Sequence, residues 1–405
     1  MLSVEEALRT VLTHRLRLPD EIAPLHQAVG RVLAEPLLAD RDFPPFDRVT
    51  MDGIALTFTL GWPAPVAGNE VLIEATQYAG EPPLTLGHRA HAIEVMTGAV
   101  LPEGTLTVVR YEDFDVVERD GRRYAVLKIS PVPKQNVHQR GEDRRMGDLL
   151  VPVGTRLSPA EIAVAASVGK TEMLVQGRPR TAVISTGDEL VAVSEKPQPH
   201  QIRRSNGVML VAALAQRGIV AEEFHLTDDR ETLAERLRDI LTRFDLLLLS
   251  GGVSAGKKDF VPDVLAELGV VKHFHQVAQR PGKPFWFGTH PDGPVVFALP
   301  GNPVSTFLCF LKYVAPFLAG GRGQGAGRQK ATLTEPVTFK PDLTYFVPVA
   351  TQIDLETGRR LARPLKGSGS GDFANLLDCD GFLELPAGRD EYGAGEEFGY
   401  LGFRV

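Results

Sequence analysis

Cysteine is almost absent. Cys309 and Cys379 are the only two in 405 residues, too few for a disulfide framework or a cysteine-built zinc site, so a reducing cytoplasm is the expected setting. Long hydrophobic runs are missing as well, and no stretch approaches the roughly 20 apolar residues of a membrane-spanning helix. The N-terminus, MLSVEEALRTVL, is no secretory signal; it sets Val4, Ala7, Leu8, Val11 and Leu12 on one face of an amphipathic helix with acidic residues in its first turn. An excess of positive charge is lacking too. The formal net charge is -7, which excludes a broad electrostatic pull toward nucleic acid or an acidic membrane, and an anionic small molecule would need a local site. Internal repeats are absent, and the one biased segment, GGRGQGAG at 320 to 327, reads as a linker.

What remains is an ordinary globular composition, 43% hydrophobic and 23% charged, long enough for two to four domains. Pro24 to Leu38 predicts a short strand or turn followed by helix. Pro44 and Pro45 forbid helix in the next segment, DFPPFDRVTMDGIAL. From there to about Gln139, short β-type runs alternate with Gly and Pro turns, which predicts a small β domain. Ser158 caps a helix with Pro159 at its first position and Gly169 beyond its end. From about Arg178 strands alternate with helices: TAVIS, a helix from Gly207 to Arg217 capped by Asn206, a strand at Ile219 to Phe224, a helix from Glu231 to Arg243, the run Leu246 to Leu249, VVFAL at 295 to 299, and a strongly apolar helix from Val304 to Leu318. That rhythm predicts a parallel, doubly wound α/β layer. Ala331 to Val405 returns to β-type runs and predicts a second β domain.

The chemistry concentrates where strands end. DLLLLSGGVSAGKKDF, Asp245 to Phe260, passes from a buried strand into a glycine loop and then helix, so open amides gather at one point beside Asp259, a carboxylate suited to a metal that bridges to phosphate. Alone, such a loop is usually only a tight connection. Right-handed crossovers, however, bring three loops to one edge of the layer: TGDE at 186 to 189, SGGVSAGKKD at 250 to 259, and PGNP at 300 to 303. Convergence favours a binding crevice. In RPGKPFWFG, Lys283 stands between Gly282 and Pro284, either a solvated turn lysine or an ammonium aimed at an oxyanion. His273 and His275 share one strand face without an assigned third ligand, which argues against zinc. KGSGSGDFAN at 366 to 375 reads as a phosphate-touching loop or as a hairpin connection.

In identity and order, MDGIAL, MTGAVLPEG, GED, STGDEL, SGGVSAGKKD, RPGKPFWFG and LPGNPVS resemble the molybdopterin molybdenumtransferase family, MoeA and the E domain of gephyrin and plant Cnx proteins. The resemblance implies a multidomain α/β plus β fold. Its parts are a discontinuous N-terminal linking domain (residues 1–43 and 141–176), an inserted β-rich domain (44–140), a doubly wound molybdopterin-binding α/β domain (177–325) and a C-terminal β domain (328–405). It also implies a homodimer with the site shared between subunits, and a reaction: molybdate enters the dithiolene of adenylylated molybdopterin and AMP leaves, assisted by magnesium. The alternatives are a non-catalytic molybdopterin-binding or scaffold paralogue and a molybdopterin adenylyltransferase; for a transferase, an adenylyltransferase is an expected partner.

Carried over position by position, the resemblance assigns catalysis to Asp259, Lys283, Asp188, Glu189, Asp52 and Asp143. Asp259 and Glu189 are the metal-side carboxylates. Thr97, Gly251, Gly252, Ser254, Asp228, Arg280, Pro300, Gly301, Asn302, Pro303 and Ser368 contact substrate. For Asp52, a plain turn role is the other reading. The chain departs from the family pattern at Lys257 and Lys258 before Asp259, at Arg203 and Arg204 before Asn206, at Gln276, and at Asp380, which implies a more positive balance around the α/β loops.

Overall fold

Ser3 opens the first helix by a reciprocal capping box. The Glu6 amide donates to the Ser3 hydroxyl and the Glu6 carboxylate accepts from the Ser3 amide. The helix, Val4–Thr13, buries Val4, Ala7 and Val11. Those residues belong to one core with Leu210, Phe274, Phe285 and Phe297. The computed structural model describes residues 1–16, 18–58, 63–253, 259–320, 329–365, 369, 371 and 373–404. It resolves into two compact units, Met1–Pro19 with Gly177–Val405, and Asp20–Gln176. Residues 1–19 thus pack in the α/β unit, whereas the family pattern groups them with the linking domain. Their apolar stripe fits against the aromatic core of that unit.

In the unit Asp20–Gln176, Asp20–Pro24 pairs antiparallel with Glu172–Gln176, and Leu37–Leu38 with Leu149–Val151. Helix Pro159–Ser167 adds Ala165 to the core with Leu33, Leu37, Val151 and Met173. The helix expected before Leu38 is only a short turn, Leu25–Gln27. The amides of Leu33 and Ala34 donate instead to Thr155 and Leu174, so tertiary pairing overrides local helix preference. A six-stranded sheet follows in the order Thr107–Arg110, Gly53–Leu56, His91–Val95, Glu70–Gln77, Arg122–Leu127, Phe114–Arg119. Successive residues on its strands enter opposite cores. Ile54, Ala92 and Val109 go to one; Ala55, Ile93 and Val108 go to the other.

One carboxylate is buried in that sheet. Glu94, 6% exposed, accepts two bonds from Arg123 (2.7 and 2.9 Å), one from Thr76 (2.8 Å) and one from Tyr111 (2.9 Å). The Arg123 guanidinium holds its carboxyl well below the usual 4.5, at about 2. Because the folded value is depressed, the stabilisation is present above the ordinary carboxylate range and is lost as pH falls from about 4.5 toward 2. Glu94→Gln is expected to lower stability at pH 7 by on the order of 2 kcal/mol and to flatten this acid-side slope. Urea denaturation at pH 7, 5 and 3 checks it; a slope unchanged by the substitution would show that Glu94 does not carry the term.

In the other unit, six strands lie in the order Ala221–Leu226, Thr181–Thr186, Leu246–Ser250, Val295–Leu299, Trp286–Thr289, Val271–His275. The first four are parallel and the last two run antiparallel to their neighbours. Both faces are covered, as a doubly wound layer requires. Leu246 and Leu248 face the core of helices Ser205–Ala215 and Pro303–Cys309; Leu247 and Leu249 face that of helices Arg230–Arg243 and Val261–Glu267. The expected apolar helix from Val304 to Leu318 is interrupted by a π-helical stretch, Phe310–Val314. Beyond it Lys330–Leu333, Thr344–Ile353, Arg360–Pro364, Gly381–Leu385 and Glu397–Gly402 build the C-terminal sheet, which Gln279–Arg280 joins at its edge. No described helix is long and apolar enough to cross a membrane.

Candidate active site

Parallel strands set the edge. Thr181–Thr186, Leu246–Ser250 and Val295–Leu299 are adjacent and in register, so the TGDE, SGG and PGNP loops leave the same end of the sheet. Gly251 and Gly252 turn at φ 99° and 68°. A β-carbon on Gly251 would lie 2.7 Å from the Thr186 carbonyl, and one on Gly252 2.7 Å from Val261, so only glycine fits either position. Ser254 lies outside the described residues, as do Lys257 and Lys258; Asp259 resumes the chain, half-buried, just before helix Val261–Glu267.

Asn206 does more than the capping expected of it. It lies inside helix Ser205–Ala215, and Arg204 occupies the cap position. The Asn206 side-chain amide donates to Ser250 Oγ (2.8 Å), the Gly301 carbonyl (2.7 Å) and Thr306 Oγ1 (3.3 Å). One side chain therefore ties the SGG strand end to the PGNP loop. Around it, Ser185 Oγ, Thr186 Oγ1, Asn206 Oδ1 and Arg204 Nε are buried without a hydrogen-bond partner among the described residues. Orphaned buried polar atoms are rare in folded proteins. Ser185 and Thr186 end one of these strands and Asn206 reaches the next, so their unpartnered atoms mark a place suited to a polar ligand. The TGDE loop is joined to the next strand end, since the Asp228 amide donates to Asp188 Oδ1 (3.1 Å) and the His225 ring lies 3.0 Å from the Gly187 carbonyl. Asp188 and Glu189 are exposed.

The RPGKP turn is held from below. Buried Gln279 donates to the carbonyls of Pro281 and Gly282 (3.2 Å each) and accepts from Tyr313. Gly282 turns at φ 88° against Gln279 and Cys309. Lys283 is exposed at the tip, its carbonyl fixed by the amides of Val277 and Phe285. Arg280 lies 5.9 Å over the Phe339 ring. A cavity of about 490 Å³ joins Arg280 and Lys283 to Pro300, Gly301, Asn302, Ser305, Tyr345 and Gly369. Ser368, expected to contact substrate from the C-terminal loop, lies outside the described residues, and Gly369 beside it lines this cavity. Gln279 and Tyr313 escape a motif reading, because only the fold brings them under the turn.

Asp52, Thr97 and Asp143 lie in the unit Asp20–Gln176. Asp52 Oδ1 accepts from the Thr97 amide (2.6 Å) and hydroxyl (2.7 Å), which holds its carboxyl below the usual range. Asp143 Oδ1 lies 3.1 Å from the His138 ring. His273 and His275 contact Thr289 and the Val253 carbonyl, and no cluster of three potential metal ligands occurs among the described residues.

Comparisons with known proteins agree along the whole chain. The pattern of the MoeA N-terminal region (domain I and II) matches residues 2–169, that of a probable molybdopterin binding domain residues 182–320, and that of the MoeA C-terminal region (domain IV) residues 330–403. A molybdopterin molybdenumtransferase of Synechocystis is 38% identical over 98% of this chain and 99% of its own length; one of Bacillus subtilis is 29% identical over 97% and 92%. Two crystal structures of the molybdopterin biosynthesis MoeA protein from Pyrococcus horikoshii superpose with TM-scores of 0.81 and 0.80, at 32% and 28% identity, over 100% of both chains. With this fold and these loops, the chain belongs to the molybdopterin molybdenumtransferase family, enzymes of molybdenum cofactor biosynthesis.

Proposed function

We propose that the protein inserts molybdate into adenylylated molybdopterin with release of AMP, as a magnesium-assisted, cytoplasmic homodimer whose cleft is shared between subunits. The observation that carries this reading is the cavity in which two cationic side chains, Arg280 and Lys283, meet the PGNP loop, next to strand ends that hold unpartnered polar atoms. A dianionic oxyanion suits the first feature. A pterin, rich in donors and acceptors, suits the second.

Magnesium keeps most of its waters and takes one or two carboxylates plus substrate phosphates. Asp188 and Glu189 in one loop and Asp259 after the next fit that demand, because adjacent parallel strands deliver both loops to one edge. Asp259 and Glu189 would hold the ion, which would neutralise phosphate charge. Lys283 and Arg280 bind and orient the oxyanion. The backbone at Gly251 and Gly252, with Pro300, Gly301, Asn302 and Pro303, shapes the pterin side. Asp228 positions the TGDE loop through Asp188. Asp52, Thr97 and Asp143 serve the partner's cleft. Catalysis then rests on positioning and electrostatics, with no covalent nucleophile.

Purified protein given adenylylated molybdopterin, molybdate and magnesium is expected to release AMP only when molybdate is present. Tight pterin binding without release would leave a binding protein and end the enzymatic reading. Asp259→Asn is expected to cut turnover by about 100-fold or more while the thermal midpoint stays within about 2 °C, since a loop carboxylate adds little to the core. Turnover equal to that of the unmodified protein would remove Asp259 from the site.

A further inference from the structure

We propose that the protein carries a second anion site, separate from the candidate active site, which takes a phosphorylated planar molecule of the mononucleotide class. A cavity of about 470 Å³ lies where the end of helix Ser205–Ala215 and helix Pro303–Cys309 meet the C-terminal sheet. Arg217, Arg360, Arg404, Phe307, Tyr400 and Phe403 line it. No aspartate or glutamate does so among the described residues. The volume lies within the range of small-molecule pockets, roughly 300–1,000 Å³.

The site is distinct because one helix spans both places. Asn206 at its first turn ties the active-site loops, and Gln216 at its end lines this cavity. Ten residues of helix separate the two by about 15 Å.

Each guanidinium is held in place. Arg217 donates to the Ala213 carbonyl at 2.8 Å and lies 5.0 Å over the Phe310 ring. Arg360 lies 5.0 Å over Tyr400 and donates to Thr351 Oγ1 at 3.3 Å. It has no carboxylate partner among the described residues. Arg404 donates to the carbonyls of Cys379 and Leu376, both at 2.9 Å, and lies 5.9 Å over Phe403; its carboxylate neighbour, Asp380, stands 4.0 Å away. Phe403 meets Phe307 edge-on with ring centroids 4.9 Å apart. Three guanidiniums thus line one cavity. A phosphate dianion matches guanidinium fork geometry. The aromatic faces beside it suit a flat ring.

Equilibrium dialysis of the full-length protein against AMP, and separately against inorganic phosphate, tests the proposal. The variants are Arg217→Gln, Arg360→Gln, Phe403→Leu and Lys283→Ala. AMP is expected to bind the unmodified protein and Lys283→Ala alike at this site, more tightly than phosphate. Either arginine variant is expected to weaken AMP by about tenfold or more. Phe403→Leu keeps apolar volume and removes a stacking face, so it should weaken AMP and leave phosphate unchanged. Absent AMP binding, affinity untouched by both arginine changes, or loss of all AMP binding in Lys283→Ala would overturn the second site, and phosphate binding as tightly as AMP would overturn the nucleotide assignment. Because Arg217 and Arg360 are outside the cleft, molybdate-dependent AMP release in their variants reports separately on the proposed reaction.

Discussion

Gly251→Ala is expected to cost roughly 2–4 kcal/mol of stability and to reduce turnover by about 100-fold or more. The backbone there turns at φ 99°, and the added carbon would sit 2.7 Å from a backbone oxygen and 2.9 Å from Thr186 Oγ1. Neither obstacle is the far end of a flexible chain, so the loop or its strand must move. The strand that moves is Leu246–Ser250, buried at every position and paired on both sides. For stability, Gly301→Ala is the matched control. Among the described residues its added carbon meets only Gly251 Cα, at 3.7 Å, and its φ is not in the left-handed region, so a loss below about 1 kcal/mol is expected. Thermal midpoints of the two variants, and molybdate-dependent AMP release of Gly251→Ala, decide the matter. If Gly251→Ala behaved like the unmodified protein, the turn would not be held by lack of space, and the open amides of this loop would lose their claim on the site.

That contrast also shows how far the sequence carries. Leu246 to Leu249 and Val295 to Leu299 are legible as buried strands because short, unbroken apolar runs bounded by glycine and proline suit little else. Their loops can then be placed on one edge by the handedness of crossovers alone. Glycines at 251, 252 and 282 announce special backbone, and all three have positive φ. Reading fails where a residue's partner is distant in the chain. Asn206 looks like a cap because it stands at a helix start, yet its partners lie 44, 95 and 100 residues away. Gln279 has no motif signature, although it pins the RPGKP turn against a helix beginning at Pro303. The first helix is legible as amphipathic, but not which core receives its stripe. For Pro24 to Leu38 the expected helix loses to amides that pair with Thr155 and Leu174.

The Asn206 tie supports a second strong prediction, and the isosteric change is the sharpest form of it. The Gly301 carbonyl can only accept, so the side-chain nitrogen must face it, and Ser250 Oγ and Thr306 Oγ1 share the same group. Asn206→Asp keeps the shape and replaces the donor with a second acceptor. A carboxylate oxygen then confronts the Gly301 carbonyl, which repels it and leaves a buried charge without that partner. The expected result is a fall in kcat/KM of about 100-fold, roughly 2.7 kcal/mol of lost transition-state stabilisation, together with faster amide exchange in the 300–303 loop. Asn206→Ala removes the tie without adding charge and is expected to fall between this variant and the unmodified protein. Loop exchange separates positioning from a direct role. If kcat/KM fell while exchange at Gly301 stayed the same, Asn206 would act on substrate through its unpartnered Oδ1 and not by tying the loops. If neither changed, the SGG and PGNP strand ends would keep their spacing from the parallel sheet alone, with Ser250 and Leu299 in register as its last rung.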